Sequence, residues 1–188
     1  MTTLLDIGCN TLGGYEHLQQ YENITGSDIR KIFIEPNPEC WTEIEQRLAS
    51  IPKATLVKKA ISSTEGTVEL ITRADVTADI AATIIGKDYL EASLAKCNMF
   101  VNDFNRYKIE SITIKKIIDE FNIIPGDTIL KLDAEGVEYD ILSDIIRNNI
   151  NFKKIYCEFH IHNDVDMSKK ISLLKEFADR NLNIIDWQ

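Results

Sequence analysis

Charged side chains interrupt and then follow an apolar strand in the segment "ILKLDAEGVEYDIL", residues 129–142. Alternation along a strand places Lys131 and Asp133 on one face and Leu130 and Leu132 on the other. Charged side chains are rarely buried unless they are paired, so charges in and after such a strand need a reason. Carboxylates at this position can bind a ligand or accept a proton, which makes the end of this strand a candidate active site.

A second group of ionisable side chains ends the apolar run "KIYCEFHIH". Glu158, His160 and His162 are spaced two apart and share a face if the extended run continues. Neighbouring parallel strands lie about 4.8 Å apart, so Asp133 and Glu158 can meet at one edge of a sheet. Three interpretations stay open: a general base, a divalent metal site (Mg or Mn) formed by Asp133, Glu158 and His160, or a sheet end that Lys131 neutralises.

The segment "DIGCNTLGG" near the N-terminus has features of a nucleoside-binding turn. Gly8 ends the first strand and permits a tight turn close to a ligand. Glu35 ends the second strand, where a carboxylate can accept both hydroxyls of a ribose. The dinucleotide fingerprint requires a second glycine where this chain has Asn10. A cofactor without pyrophosphate does not need that close approach, so the pattern favours S-adenosylmethionine over NAD.

Strands alternate with helices along most of the chain, which predicts an α/β fold with a doubly wound, mainly parallel sheet. The predicted strands cover residues 4–8, 31–36, 54–61, 67–72, 128–133, 154–161 and the final "NIIDWQ". Helices are predicted after Asn37, around 117–121, over 137–148 and over 168–181. Residues 74–108 fit no strand–helix unit, and we expect a helical or irregular lid or substrate-binding insertion there.

Length and composition are those of a single globular domain, with 188 residues, 44% hydrophobic and 27% charged. The net charge of −9 argues against a nucleic-acid partner, because such affinity comes from clustered cations. We also expect no membrane partner, since no apolar run reaches the length of a membrane helix. The four cysteines form no CxxC pair, which indicates free thiols and a cytoplasmic location. The oligomeric state stays open.

Five motifs in order along the chain resemble the FkbM family of class I S-adenosylmethionine-dependent methyltransferases. They are "LLDIGCN", "IFIEPNP", "AIS", "ESITIKKIIDEF" and "LKLDAEGVEYDIL". The resemblance implies a Rossmann-like methyltransferase sheet and O-methylation of a hydroxyl on a sugar or glycan. Only three residues precede the first strand, so we expect residues 1–188 to be either one domain excised from a larger protein or a minimal family member.

The resemblance also implies roles for individual residues. On the cofactor side, Asp6, Gly8 and Asn10 correspond to the methionine site, Glu35 to the ribose site, and Ala60 to Ser62 to the adenine site.

On the acceptor side the corresponding residues are Asp133, Glu135 and Glu158, with Lys131 close by. We expect an in-line attack by the acceptor hydroxyl, with Asp133 or His160 as base and Glu158 orienting it or holding a metal.

Two other functions stay open on the sequence. An NAD(P)-dependent sugar oxidoreductase or epimerase is disfavoured by Asn10 and by the lack of a Tyr-x-x-x-Lys pair. A catalytically inert module that binds a nucleoside or a protein partner would keep the fold without turnover. Asp6, Gly8, Glu35 and Asp133 are all present, which favours the enzyme.

Overall fold

A parallel sheet forms the centre of the protein in a computed structural model that describes residues 2–73, 82–84, 104–161 and 163–187. Its six strands are β1 (Thr3–Ile7), β2 (Arg30–Ile34), β3 (Ala54–Val57), β8 (Thr128–Leu132), β9 (Lys154–Cys157) and β10 (Ile184–Asp186). Within the described ranges they pair in the order β10-β9-β8-β1-β2-β3, and every pair is parallel. The chain first builds outward from β1 to β3 and then restarts beside β1 with β8.

Helices cover both faces of this sheet, as expected for a doubly wound fold. Among the described residues the helices are α1 (Gly13–Leu18), α2 (Pro38–Leu48), α3 (Ile114–Glu120), α4 (Glu138–Arg147) and α5 (Asp164–Asp179). Tyr15 of α1 and Ile44 of α2 pack with Phe33 on one face. Leu142 of α4 and Phe177 of α5 belong to the core on the other face. The predicted α/β class with a mainly parallel, Rossmann-like sheet is confirmed.

A second, smaller sheet is formed by the strands that lie between β3 and β8 in the chain. Its strands are β4 (Ala60–Ile61), β5 (Gly66–Arg73), β6 (Ala82–Ile84) and β7 (Phe104–Ile112). They pair in the order β4-β7-β5-β6, and β5 is antiparallel to both β6 and β7. Leu70 of β5 and Ile109 of β7 join the same core as Leu132, so the small sheet packs on the main domain.

Two predicted strands were wrong in extent. Residues 54–61 form two strands, because β3 stops at Val57 and β4 pairs with β7 of the other sheet. The predicted strand 154–161 ends at Cys157, although the Glu158 amide still donates to the Leu132 carbonyl at 2.9 Å. The predicted strand 67–72 exists as β5, but it belongs to the antiparallel sheet.

The helical or irregular conformation predicted for 74–108 was wrong where the structure describes it, because 82–84 and 104–108 are strand. The lid or substrate-binding role of the segment stays a prediction. The remainder of that segment lies outside the described residues. Helix α5 begins four residues earlier than predicted because the Asn163 side chain caps it, accepting from the amides of Val165 and Asp166. No helix in the described part of the chain is both long and apolar enough for a membrane span.

Candidate active site

A cavity opens at the carboxyl ends of β1, β2 and β8, where the strand order reverses. Its described apolar lining includes Ile34, Ala60, Ile61 and Leu70. Its described polar lining includes Asn10, Glu35, Asp133 and Glu135. This is the position at which open parallel sheets bind ligands, because the loops on either side of the reversal diverge there.

The turn after β1 is pressed against the end of β8. Gly8 has a φ of +73°, and a Cβ added to it would lie 1.7 Å from the carbonyl oxygen of Asp133. The Asp133 amide in turn donates to the Ile7 carbonyl at 3.0 Å. Only glycine tolerates both this backbone conformation and this contact. Gly8 therefore joins the two strand ends at the floor of the cavity.

Glu35 is a buried carboxylate at the end of β2, only 4% exposed. Its Oε2 accepts from the Asn10 amide at 2.7 Å and its Oε1 from the Asn37 amide at 2.8 Å. Burial raises the pKa of Glu35 to about 7, although both hydrogen bonds oppose that shift. Each oxygen keeps a second lone pair, so the carboxylate can still accept hydroxyl groups of a ligand.

Lys131 forms a buried charge cluster beneath the turn. Its Nζ lies 3.1 Å from Oδ1 of Asp6 and 3.5 Å from Oδ2 of Asp133, and it donates to the Gly8 carbonyl at 3.2 Å. Burial alone would lower the pKa of Lys131, but the charges of Asp6 and Asp133 raise it above its ordinary value, so the ammonium stays charged. Gly14 makes room for this side chain, since a Cβ there would lie 2.2 Å from the Cε of Lys131.

Asp6 is fully buried, and burial raises its pKa while Lys131 opposes the shift. Its Oδ2 has no hydrogen-bond partner among the described residues. A buried carboxylate oxygen without a donor is costly, so Asp6 depends on the nearby ammonium.

His160 lies between the carboxylates of Glu138 on one side and of Glu135 and Asp133 on the other. Its Nδ1 is 3.2 Å from Oε1 of Glu138, and its Nε2 is 3.4 Å from Oε2 of Glu135 and 4.0 Å from Oδ1 of Asp133. Burial would lower the pKa of His160, but the hydrogen bond to Glu138 and the neighbouring carboxylates raise it to about 9. The ring is then protonated at neutral pH, which disfavours His160 as the base.

Asp133, Glu135 and His160 can each turn one ligand atom toward a common point, with these atoms within 4.8 Å of one another. The two carboxylates offer the oxygen ligands that Mg²⁺ and Mn²⁺ prefer, whereas the imidazole nitrogen is more typical of Zn²⁺ or iron sites. The sequence predicted Glu158 in this set, and the structure brings Glu135 there instead. His162 lies outside the described residues.

The predicted cofactor residues divide into two groups. Gly8, Asn10, Glu35 and Ala60 line the cavity. Asp6 does not line it but holds Lys131 beneath the turn. Ser62 is outside the described lining as well, and its hydroxyl donates to the Thr64 carbonyl at 2.6 Å.

The predicted acceptor-side residues are also divided. Asp133 and Glu135 line the cavity. His160 and Lys131 are outside its described lining, at 3.4 Å from Glu135 and 3.5 Å from Asp133 respectively. Burial raises the pKa of Glu158, and the charge of Asp133 raises it further.

Sequence reasoning missed two residues that shape the site, Glu138 and Gly14. The signal for Glu138 was a carboxylate on the apolar side of a predicted helix, where it is fully buried. The sequence contains no signal for Gly14. A side chain is excluded there only by the contact with Lys131, which is distant in the chain.

A parallel sheet with a ligand cavity at its reversal point and a buried carboxylate ending β2 defines a Rossmann-like α/β domain. The family model described as "Methyltransferase FkbM domain" matches residues 6–180. The chain therefore belongs to the FkbM methyltransferase domain family. A comparison with curated proteins found no significant match.

A solved structure shares the fold. It is the crystal structure of Methyltransferase FkbM from Methylobacillus flagellatus KT at 2.20 Å resolution, which matches with a TM-score of 0.52 and 14% identity. The match covers 94% of this chain and 37% of that one. This chain thus spans little more than a third of that protein's length, and the likeness concerns the fold.

Proposed function

We propose that this domain binds S-adenosylmethionine in the cavity and transfers its methyl group to a hydroxyl of a sugar or glycan. The observation that carries the proposal is Glu35, a nearly buried carboxylate at the end of β2, in a cavity that Ile34, Ala60 and Ile61 also line. Membership in the FkbM methyltransferase domain family supports the same activity.

Each part of such a cofactor has a chemically suitable group in the lining of the cavity. The second lone pairs of Glu35 can accept the two ribose hydroxyls, as the carboxylate is already fixed by two backbone amides. Ala60, Ile61 and Leu70 offer an apolar surface for a purine ring. Asn10 and the turn at Gly8 lie where the amino acid end of the cofactor would meet the strand reversal.

The residues of this chain have two tasks in the reaction. When bound, the cofactor supplies a methyl group already activated by a positively charged sulfur. Asp133 and Glu135 line the cavity, where they would orient an acceptor hydroxyl and receive its proton. Alignment of acceptor and methyl group can contribute on the order of 7–11 kcal/mol, which makes positioning the larger task.

The sugar or glycan acceptor is proposed from the resemblance of the motifs, and the carboxylates support it because they are good acceptors for sugar hydroxyls. A divalent metal on Asp133, Glu135 and His160 is a second prediction for the same edge. It would orient the acceptor oxygen and favour its deprotonation.

Calorimetric titration with S-adenosylhomocysteine tests the cofactor, with NAD⁺ as the control ligand and Mg²⁺ or Mn²⁺ present or absent. We expect saturable binding of S-adenosylhomocysteine and none of NAD⁺. Binding of NAD⁺ alone would favour the oxidoreductase, and binding of neither ligand would favour an interaction module.

Methyl transfer is then measured with labelled S-adenosylmethionine and a panel of mono- and oligosaccharides. Label should appear in at least one sugar and be lost with Glu35→Gln. Cofactor binding without transfer to any sugar in the panel would contradict the proposed acceptor class. An increase in transfer with Mg²⁺ would support the metal.

A further inference from the structure

Glu39 is an acidic residue in the first turn of α2 that the proposed function does not use. Its Oε1 accepts hydrogen bonds from the Thr72 hydroxyl on β5 at 2.8 Å, and from the Asn105 amide nitrogen Nδ2 and the Tyr107 hydroxyl on β7 at 2.9 and 2.7 Å. Burial would raise the pKa of Glu39, but these three hydrogen bonds lower it below its ordinary value, so the carboxylate stays ionised. Hydrogen bonds to a charged acceptor are stronger than neutral ones, so Glu39 ties α2 firmly to the small sheet.

The three donors lie on the face of the small sheet that also carries Leu70. Leu70 is paired with Tyr107, and Thr72 is paired with Asn105. Residues directly opposite each other in an antiparallel pair share a face, and so do residues two apart along one strand. Because Leu70 lines the cavity, the face that Glu39 holds is the one that contributes to the cavity wall.

The segment that carries Glu39 also fixes the carboxylate on the other side of the cavity. The Asn37 amide donates to Oε1 of Glu35 at 2.8 Å, and the Asn37 side chain accepts from the Glu39 amide at 3.0 Å. The indole of Trp41 donates to the Glu35 carbonyl at 2.9 Å. This short segment therefore sets the position of Glu35 and, through Glu39, the position of the small sheet.

We propose that Glu39 is a positioning residue that sets the spacing between Glu35 and Leu70, and thereby the fit of the purine ring of the cofactor. The proposal rests on the function proposed above and deepens it, because it assigns selectivity for adenine to a residue outside the described cavity lining. A rigid, flat ring gains affinity from a wall that is already in place before it binds. The amino acid end of the cofactor, proposed to lie at Asn10 and Gly8, should depend less on Glu39.

Two substitutions of Glu39 separate the hydrogen bonds from the charge. Glu39→Ala removes the acceptor of all three donors. Glu39→Gln removes the charge, which is favourable in the first turn of a helix, but keeps a carbonyl oxygen that can accept from them. Glu43→Ala is the matched control, because Glu43 lies one turn further along α2 and pairs with Arg47 at 3.7 Å.

Hydrogen–deuterium exchange of the ligand-free protein tests the contact without any ligand. In Glu39→Ala the amides of β5 and β7 should exchange about tenfold faster, because local opening of the small sheet no longer breaks these hydrogen bonds. The amides of β1, β2 and β8 should exchange as in the wild type. Glu43→Ala should match the wild type throughout, and Glu39→Gln should be intermediate. Unchanged exchange of β5 and β7 in Glu39→Ala, or faster exchange in every strand, would overturn the proposal.

Two ligands test the selectivity for the purine. S-Ribosylhomocysteine is S-adenosylhomocysteine without its adenine, and ligand-observed NMR detects its weaker binding. Glu39→Ala should raise the Kd of S-adenosylhomocysteine by about tenfold and that of S-ribosylhomocysteine by less than about twofold. Glu39→Gln should retain most of the affinity for S-adenosylhomocysteine.

Three binding results would overturn the proposal. An equal loss for both ligands in Glu39→Ala would mean that Glu39 does not act on the purine. Wild-type affinity for S-adenosylhomocysteine in that variant would mean that it does not act on the cavity. Equal losses in Glu39→Gln and Glu39→Ala would assign the effect to the charge at the start of α2.

Failure of the proposed function has a different signature. A wild type that binds neither ligand contradicts the function, whereas the exchange rates still decide whether Glu39 holds the small sheet. A wild type that binds S-adenosylhomocysteine, together with a Glu39→Ala variant that binds it equally well, contradicts the role of Glu39 alone.

Discussion

Two lysines are buried in neighbouring parts of the same sheet, and they are stabilised in opposite ways. Lys31 is near the start of β2, and its Nζ donates to the carbonyls of Gly26, Ile29 and Pro52 at 3.0–3.3 Å. Lys131 is near the end of β8, and its Nζ lies among the carboxylates of Asp6 and Asp133. Burial lowers the pKa of Lys31, whereas the carboxylates raise the pKa of Lys131.

The two buried lysines are stabilised differently because the two edges of the sheet have different roles. At the amino edge, three neutral carbonyls accept from one buried ammonium, and the nearby charge of Asp28 also favours its charged form. At the carboxyl edge, several charges are buried together, which is costly unless each has a partner. Buried charges can serve as a preorganised electrostatic field for a bound ligand, and this edge of the sheet is the one that holds the cavity.

The largest expected effect is that of Lys131→Met, which removes the cation of Asp6. Breaking a buried ion pair costs about 3–5 kcal/mol of unfolding free energy. The loss should be smaller at pH 5 than at pH 8, because an unpaired buried Asp6 can take up a proton. Urea denaturation at the two pH values measures it. Wild-type stability in this variant would show that the cluster is not a coupled unit.

Lys31→Met is the matched change at the other edge. It leaves three carbonyl oxygens without this donor and should cost about 1–3 kcal/mol. Since the change is far from the cavity, binding of S-adenosylhomocysteine should persist. If Lys31→Met lost S-adenosylhomocysteine binding as well as stability, the two edges of the sheet would not differ in their role.

Gly14→Ala sharpens the comparison by disturbing Lys131 without changing a charge. The new Cβ would meet the Cε of Lys131 at 2.2 Å, so the buried lysine must move at a cost of about 1–3 kcal/mol. Gly13→Ala is the control, because nothing lies within 4 Å of a Cβ there. Thermal melts should show a lower Tm for Gly14→Ala alone. Equal Tm values would mean that Lys131 relaxes freely.

The smallest expected effect is a pH dependence of cofactor binding. With the pKa of Glu35 at about 7, the empty site is largely protonated there below neutrality. Ribose hydroxyls donate to the ionised form, so affinity should rise with pH toward 7 by up to about tenfold per pH unit and then level off. Calorimetry from about pH 5.5 to 8.5 spans this rise. The variant Glu35→Gln should bind S-adenosylhomocysteine weakly, and its affinity should not rise with pH. A wild-type pH profile in that variant would show that Glu35 is not the titrating group.

Local patterns along the chain were sufficient to predict the parallel sheet. Apolar runs predicted β1, β2 and β8, and Asn37 was expected to cap α2, where its side chain accepts from the Glu39 amide. Alternation also placed Lys131 and Asp133 together. These features depend on neighbouring residues, which is why sequence periodicity detects them.

Features that depend on distant pairing were missed. β7 carries polar residues such as Asn105 and Arg106, and it becomes a strand only because it pairs along its length with β5. A separate pairing of residues 60–61 with β7 takes them away from β3. The contact between Glu138 and His160 was missed for the same reason, because it forms only when β9 pairs with β8.

The most direct test of the central claim is a crystal structure of the protein with S-adenosylhomocysteine. We expect the ligand in the cavity at the strand reversal, with its ribose hydroxyls on the Glu35 carboxylate and its sulfur facing Asp133 and Glu135. A ligand bound elsewhere, or a ribose that does not contact Glu35, would contradict the account.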